Sequence, residues 1–390
     1  VQAAPAPGRR AARTAGLGAA VAVLALLAAF VATRPEDSGT LRRRAEAASA
    51  RKDWPEALAL WRRLNASPSA TATTRLEEGR ACLALGLAAR GEEALRRAVE
   101  ADPKAARAWA LRLEILRVED RWFDAAEVGR AALEAVDPED RATVLRELTL
   151  AAISDLPDDL ARDALKKWAA ADPDDAEAEA ALLRRIGADP RPDDPDRPTR
   201  LARLEELAAR RPDLAGPREA LATLLADGGD VERGRRVLEA WPEAARDGRY
   251  HRLVGRWRLE YDGRPEEAAE HLARALESAP HDWRTHYRLA RALTILGRPE
   301  EAAREAKATA RIREALDPMT RGPALEDAFA KVDRPSARAT IADACARVGL
   351  DDLARAWRGL PPAPDVEAGA GGAMRGQAPA AAPGTSRPIP

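Results

Sequence analysis

The heptapeptide GRPEEAA fills Gly263–Ala269 and recurs at Gly297–Ala303, 34 residues further on. A fixed period of this size marks stacked supersecondary units. Each letter of the phrase has a job in a helical hairpin. Gly closes one helix, where left-handed backbone geometry is easy, and Pro suits the first turn of the next. The two Glu favour that helix's N-terminus, and the Ala pair lets two helices cross closely. The phrase therefore predicts a helix-turn-helix unit built at least twice.

Helical periodicity elsewhere in the chain is interrupted at a similar interval. Proline cannot continue a helix, and helix ends are expected at Pro68, Pro103, Pro138, Pro173, Pro212, Pro242 and Pro280. A second landmark keeps the same beat: Ala57, Gly91 and Ala125 are spaced 34 apart, as are Ala268 and Ala302. Small residues are required where two helices cross closely. Aromatics make up only 4% of the 390 residues, while Ala, Leu, Arg and Glu abound. Helix formers therefore dominate over strand formers, and the folded part reads as all-α.

Trp283–Ile312, WRTHYRLARALTILGRPEEAAREAKATARI, resembles a tetratricopeptide repeat, with Leu289, Ala290, Leu293, Gly297 and Ala302 in its signature places. The preceding copy carries Leu259, Gly263, Ala268, Leu272, Ala275 and Pro280; a third has Gly79, Leu85, Gly86, Leu95, Ala98 and Pro103; a fourth has Trp109, Leu113, Ala125 and Ala132. The resemblance covers roughly 41–358 and implies a right-handed α-solenoid. It also implies a protein or peptide partner held on the concave face. Register carried over from Ala268 and Ala302 puts Tyr250, Leu253, Trp257 and Tyr261, then Arg284, Tyr287 and Arg291, on that face. Aromatics and Arg are the side chains interface hot spots favour. Aromatics at helical spacing serve equally as packing between repeats, and both readings stay open at this stage.

The expected organisation runs from a basic tail (1–14) through an apolar anchor (15–33) to repeats at 41–186. A Pro/Asp-rich insertion (187–198), further repeats (199–316), a capping pair of helices (317–358) and a disordered Pro/Ala/Gly-rich tail (359–390) follow. Residues 15–33, AGLGAAVAVLALLAAFVAT, hold no charge and follow Arg9, Arg10 and Arg13. As a helix they span roughly 28 Å, close to the hydrocarbon thickness of a bilayer. The expectation is a single-pass protein of a bacterial inner membrane with its C-terminal domain exported. A cleaved signal peptide is disfavoured because residues 30–33, FVAT, offer a poor small-residue pair for cleavage.

With 63 basic against 64 acidic residues, no overall field collects nucleic acid. Cys82 and Cys345 stand far apart and outside any CxxC arrangement, which predicts two small buried apolar residues. His251, His271, His281 and His286 form no metal-binding spacing and read as surface residues. Asp193, Asp194 and Asp196 in the insertion lack the Gly turn and distal Glu of a calcium loop. No catalytic, cofactor-binding or metal-binding residue and no small-molecule substrate is predicted. The function expected is a membrane-anchored scaffold for protein–protein interaction or complex assembly. The alternatives are an accessory subunit of an exported enzyme system, resembling cytochrome c maturation, or a divergent transferase.

Overall fold

A computed structural model describes residues 37–153, 158–188 and 194–361. The basic tail, the apolar segment 15–33, part of the 187–198 insertion and most of the 359–390 tail lie outside the described residues. Among the described residues the chain forms nineteen α-helices, one short 3-10 turn and no strand. No described helix is long and apolar enough to cross a membrane.

The helices are α1 Ser38–Ala50, α2 Trp54–Asn65, α3 Ala72–Leu85, α4 Ala88–Ala101, α5 Ala106–Val118 and α6 Trp122–Ala135. Then come α7 Arg141–Ile153, α8 Asp158–Ala171, α9 Ala176–Ile186, α10 Arg197–Arg210, α11 Gly216–Asp227 and α12 Val231–Glu239. The last stretch holds α13 Gly248–Glu260, α14 Pro265–Ser278, α15 Trp283–Ile295, α16 Pro299–Leu316, α17 Pro318–Ala330, α18 Pro335–Arg347 and α19 Asp351–Arg358. Each even-numbered helix from α2 to α14 stops two or three residues before one of the prolines at 68, 103, 138, 173, 212, 242 and 280. Aspartate side chains start many of the first helices by accepting orphan backbone N–H groups. Asp247 caps α13 through Arg249 N and Tyr250 N, and Asp282 caps α15 through Arg284 N and Thr285 N.

Both copies of the heptapeptide fold alike. Gly263 and Gly297 take φ of 64° and 68°, and Pro265 and Pro299 open the next helix. Ala268 and Ala302 are buried at the crossings, as is Ala125 between α5 and α6. In α3 and α4 the crossing falls on two glycines. A Cβ at Gly79 would stand 2.7 Å from Leu95 Cγ and 3.4 Å from the Gly91 carbonyl oxygen. Gly86, φ 84°, ends α3 beside it.

Three departures from the sequence reading have physical causes. First, α7 and α8 do not form a hairpin: α7 packs on α5 and α6, and α8 packs on α9. Segment 139–173, inside the stretch expected to hold repeats (41–186), is thus shared between its neighbours. Second, α10 begins at Arg197, inside the stretch expected to be a linker. Pro198 is tolerated in a first turn, and Arg200 bonds back to Asp194. Third, the C-terminal segment is three helices rather than two, and it does not cap the end of the stack. Leu325, Phe329, Ile341, Cys345, Leu353 and Trp357 share one core with residues of α4–α9. Trp357 Nε1–H donates to Thr149 Oγ1 on α7 at 2.8 Å. The chain curls back on itself, so its last helices cover α7.

Candidate functional site

The face of α13 decides how much of the expected partner surface is available. Leu253 and Trp257, 3% and 2% exposed, belong to a core with Leu221, Leu225 and Leu238 of the preceding helices and Trp241 of the loop after α12. A Cβ at Gly234 would stand 2.2 Å from Trp257 Cη2, so the outer edge of the indole packs against a glycine of α12. These two residues are packing between helix pairs and are removed from the partner surface. Trp257 fits there because Gly234 carries no side chain. Tyr261 is half-buried and donates its hydroxyl to the Ala226 carbonyl at 2.6 Å. Tyr250 is also half-buried, 5.8 Å from the Trp241 ring, with the Arg246 guanidinium 5.1 Å from its centroid.

Arg284, Tyr287 and Arg291 on α15 are exposed, but they do not share one surface. Arg284 stacks on Trp283 at 4.7 Å and lines a cleft of about 490 Å³. Tyr287 and Arg291 line a different groove, between α15 and α16.

The 490 Å³ cleft is bounded by the first helices α9, α11, α13 and α15, with Asp120 from the α5–α6 turn as one wall. Its charged side chains form a ladder. Arg184 bonds Asp120 at 2.9 Å and lies 3.5 Å from Glu219; Arg252 bonds Glu219 and approaches Asp282 at 3.8 Å. Arg256 pairs with Asp227 and Glu260, and Arg288 with Glu260, each within 3 Å. Although burial opposes ionisation, Arg252 and the Thr285 hydrogen bonds hold the Asp282 carboxyl below its usual range. Glu219 is buried, and six arginines, Arg185 and Arg284 among them, line the cleft together with Asp120, Asp227 and Asp282.

A second polar network ties the two halves of the chain together. Arg121 pairs with Glu92, Glu119 and Asp124, and Asp124 pairs onward with Arg249, which also holds Asp247. Trp122 Nε1–H donates to the Ser278 carbonyl at 3.0 Å, its ring meets His281 edge-on at 4.4 Å, and Arg249 and Arg252 lie over Phe123. Burial, opposed by Arg121, pushes the Glu119 carboxyl well above the usual range. Despite burial, Arg121 and Arg249 hold Asp124 below it. Asp124 and Arg249 are 125 residues apart, and no local pattern announces such a pair.

The histidines are not plain surface residues. His251 and His271 face one another with Nδ1 atoms 2.8 Å apart, and His286 bonds Glu305 and the Pro280 carbonyl. Cys82 and Cys345 are free and buried, and burial pushes their thiols up to about 11 and about 12. Among the described residues, no group of three or more His, Cys, Asp or Glu side chains is placed to hold a metal ion. Asp194 is bonded to Arg200, and Asp193 lies outside the described residues.

Residues 260–314 match the family model for the tetratricopeptide repeat, a span containing both copies of the heptapeptide. No curated protein matches the chain. Among solved structures, the chain is similar to MamA, residues 41 to the end, from Desulfovibrio magneticus RS-1, at 19% identity. That match covers 46% of this chain and 99% of the other, with a TM-score of 0.31. It is also similar to a tetratricopeptide repeat protein from Parabacteroides merdae, at 15% identity over 66% of this chain and 98% of the other, with a TM-score of 0.32.

Proposed function

For a chain that carries tetratricopeptide repeats, we propose a scaffold that binds an acidic peptide segment of a partner protein in the arginine-lined cleft. Repeats of this family generally bind protein or peptide partners and are typically non-catalytic. The observation that supports an acidic ligand is the cleft wall itself, six arginines from Arg184 to Arg288 against three aspartates, Asp120, Asp227 and Asp282. Guanidinium groups recognise carboxylates in a bidentate, directional way that lysine does not reproduce. Arg284, stacked on Trp283, is exposed, whereas the other five arginines of this wall are half-buried.

The test is fluorescence anisotropy of a labelled Asp/Glu-rich peptide library against the full chain. Arg284→Glu should weaken the tightest peptides at least tenfold and Arg284→Lys by less, with thermal melting unchanged. Equal affinity in the wild type and Arg284→Glu sinks the reading.

The scaffold is proposed to be membrane-anchored through residues 15–33, with the repeats exported. Nineteen residues without a charge, flanked by arginines, support that part.

A further inference from the structure

The groove between α15 and α16 is a seat that no described helix fills, with a filled counterpart in the same chain. We propose that it docks an amphipathic α-helix of a partner protein, held where the first helix of a further repeat would lie, with an acidic edge facing Arg291. This surface is separate from the arginine-lined cleft.

The 34-residue register supplies the template. Ala302, Ala303, Ala306 and Thr309 on α16 correspond to Ala268, Ala269, Leu272 and Ala275 on α14. All four α14 residues are buried, the first three in one core with Leu289, Ala292 and Leu293 of α15. In the later copy no described helix takes the place of α15. Ala303 and Ala306 are exposed, and Tyr287 and Ile295 are 51% and 63% exposed. The groove they line has a volume of about 940 Å³.

The reason it stays open is visible in α16. This helix has 18 residues against 14 in α14. The additional turn, about 6 Å of rise, carries the chain past the seat before α17 begins. Ile312 then joins Leu325 and Phe329 in the core shared with α7. The chain's own next helix is thus committed elsewhere.

The lining also says what would fit. The earlier seat contributes Glu260, which accepts from Arg288 of its occupant at 2.8 Å. Thr294 stands in that position here, and Arg291 lines the groove beside it. Arg291 lies 5.9 Å from the Tyr287 ring centroid and has no carboxylate partner among the described residues. The charge preference of the seat is therefore inverted, from a basic occupant to an acidic one. Ala306 in place of Leu272 deepens the floor by most of a leucine side chain, so the occupant presents Leu or Phe where α15 presents smaller residues. Helix-in-groove binding of this kind reads anchors at i, i+3 or i+4, and i+7.

Two stapled helical peptides test this, each with a Leu/Phe face, one edged with Glu and one with Lys, titrated against the full chain by anisotropy. The Glu-edged peptide should bind at least tenfold tighter. Arg291→Glu should reverse the preference, and Ala306→Arg should abolish binding of both while melting stays unchanged. The proposal is overturned by absence of saturable binding, by binding that survives Ala306→Arg, or by a preference that ignores Arg291→Glu. It is overturned equally if sedimentation shows a dimer that Ile295→Asp dissociates, because the occupant is then a second copy.

Discussion

Trp357 and Thr149 are 208 residues apart, yet the indole N–H of one bonds the hydroxyl of the other at 2.8 Å in a fully buried setting. That bond marks where the last helix closes on the middle of the chain. Trp357→Ala should cost about 3–5 kcal/mol and Thr149→Val about 1–3 kcal/mol, the latter by orphaning the indole donor. Urea denaturation of both variants checks this, and two unaffected midpoints would remove the closure from the fold.

Trp257 and Tyr287 occupy neighbouring register positions in successive repeats but different environments. Trp257→Ala should destabilise by about 3–5 kcal/mol, whereas Tyr287→Ala should stay within about 0.5 kcal/mol. The Trp257 indole N–H has no hydrogen-bond partner among the described residues, so Trp257→Phe should be milder than Trp257→Ala. Thermal melts of the three variants decide it; equal effects of Trp257→Ala and Tyr287→Ala contradict the packing described above.

Burial, only partly offset by Asp282, lowers the His281 imidazole to about 4, and its buried Nδ1 has no hydrogen-bond partner among the described residues. An unfolded histidine protonates near 6.5, so between about pH 6.5 and pH 4 the unfolded chain binds the extra proton. Stability should therefore be lost as pH falls through that window, by on the order of 2–3 kcal/mol at its lower end. His281→Phe keeps the ring against Trp122 and removes the titration. The difference between wild-type and variant stability curves should open below about pH 6.5; parallel curves exclude the effect.

The proposed anchor makes a separate prediction. A central arginine costs about 2.5–3.5 kcal/mol on an insertion scale, comparable to the whole favourable sum from Leu, Val and Phe in residues 15–33. Leu26→Arg should move the protein from the membrane pellet to the soluble fraction. An unchanged distribution on fractionation refutes the anchor.

Local chemistry made much of the hairpin pattern readable. Gly263, Pro265 and Ala268 act within one turn, so their effect on backbone geometry is visible in seven letters. Helix ends at Asp-Pro steps were readable for the same reason, since proline removes a donor wherever it stands. The α7–α8 region escaped because residues 139–173 lack a turn signal strong enough to dictate pairing, and packing against α5 and α9 decided instead. The partner face was only half legible. Tyr250, Leu253, Trp257, Tyr261, Arg284, Tyr287 and Arg291 sit at equivalent helical positions, but position alone does not say what stands opposite.

What the sequence by itself determined is therefore the repeating unit: which residues are helical, where each helix stops, and where small residues let pairs cross. These depend on neighbours within a turn or two. Only the tertiary structure decided which faces remain open. Trp257 is buried because Gly234 leaves room for it, and Tyr287 is exposed because a longer α16 sends the following helices to α7. Burial is a property of what packs opposite a residue, and that partner is set by the path of the whole chain.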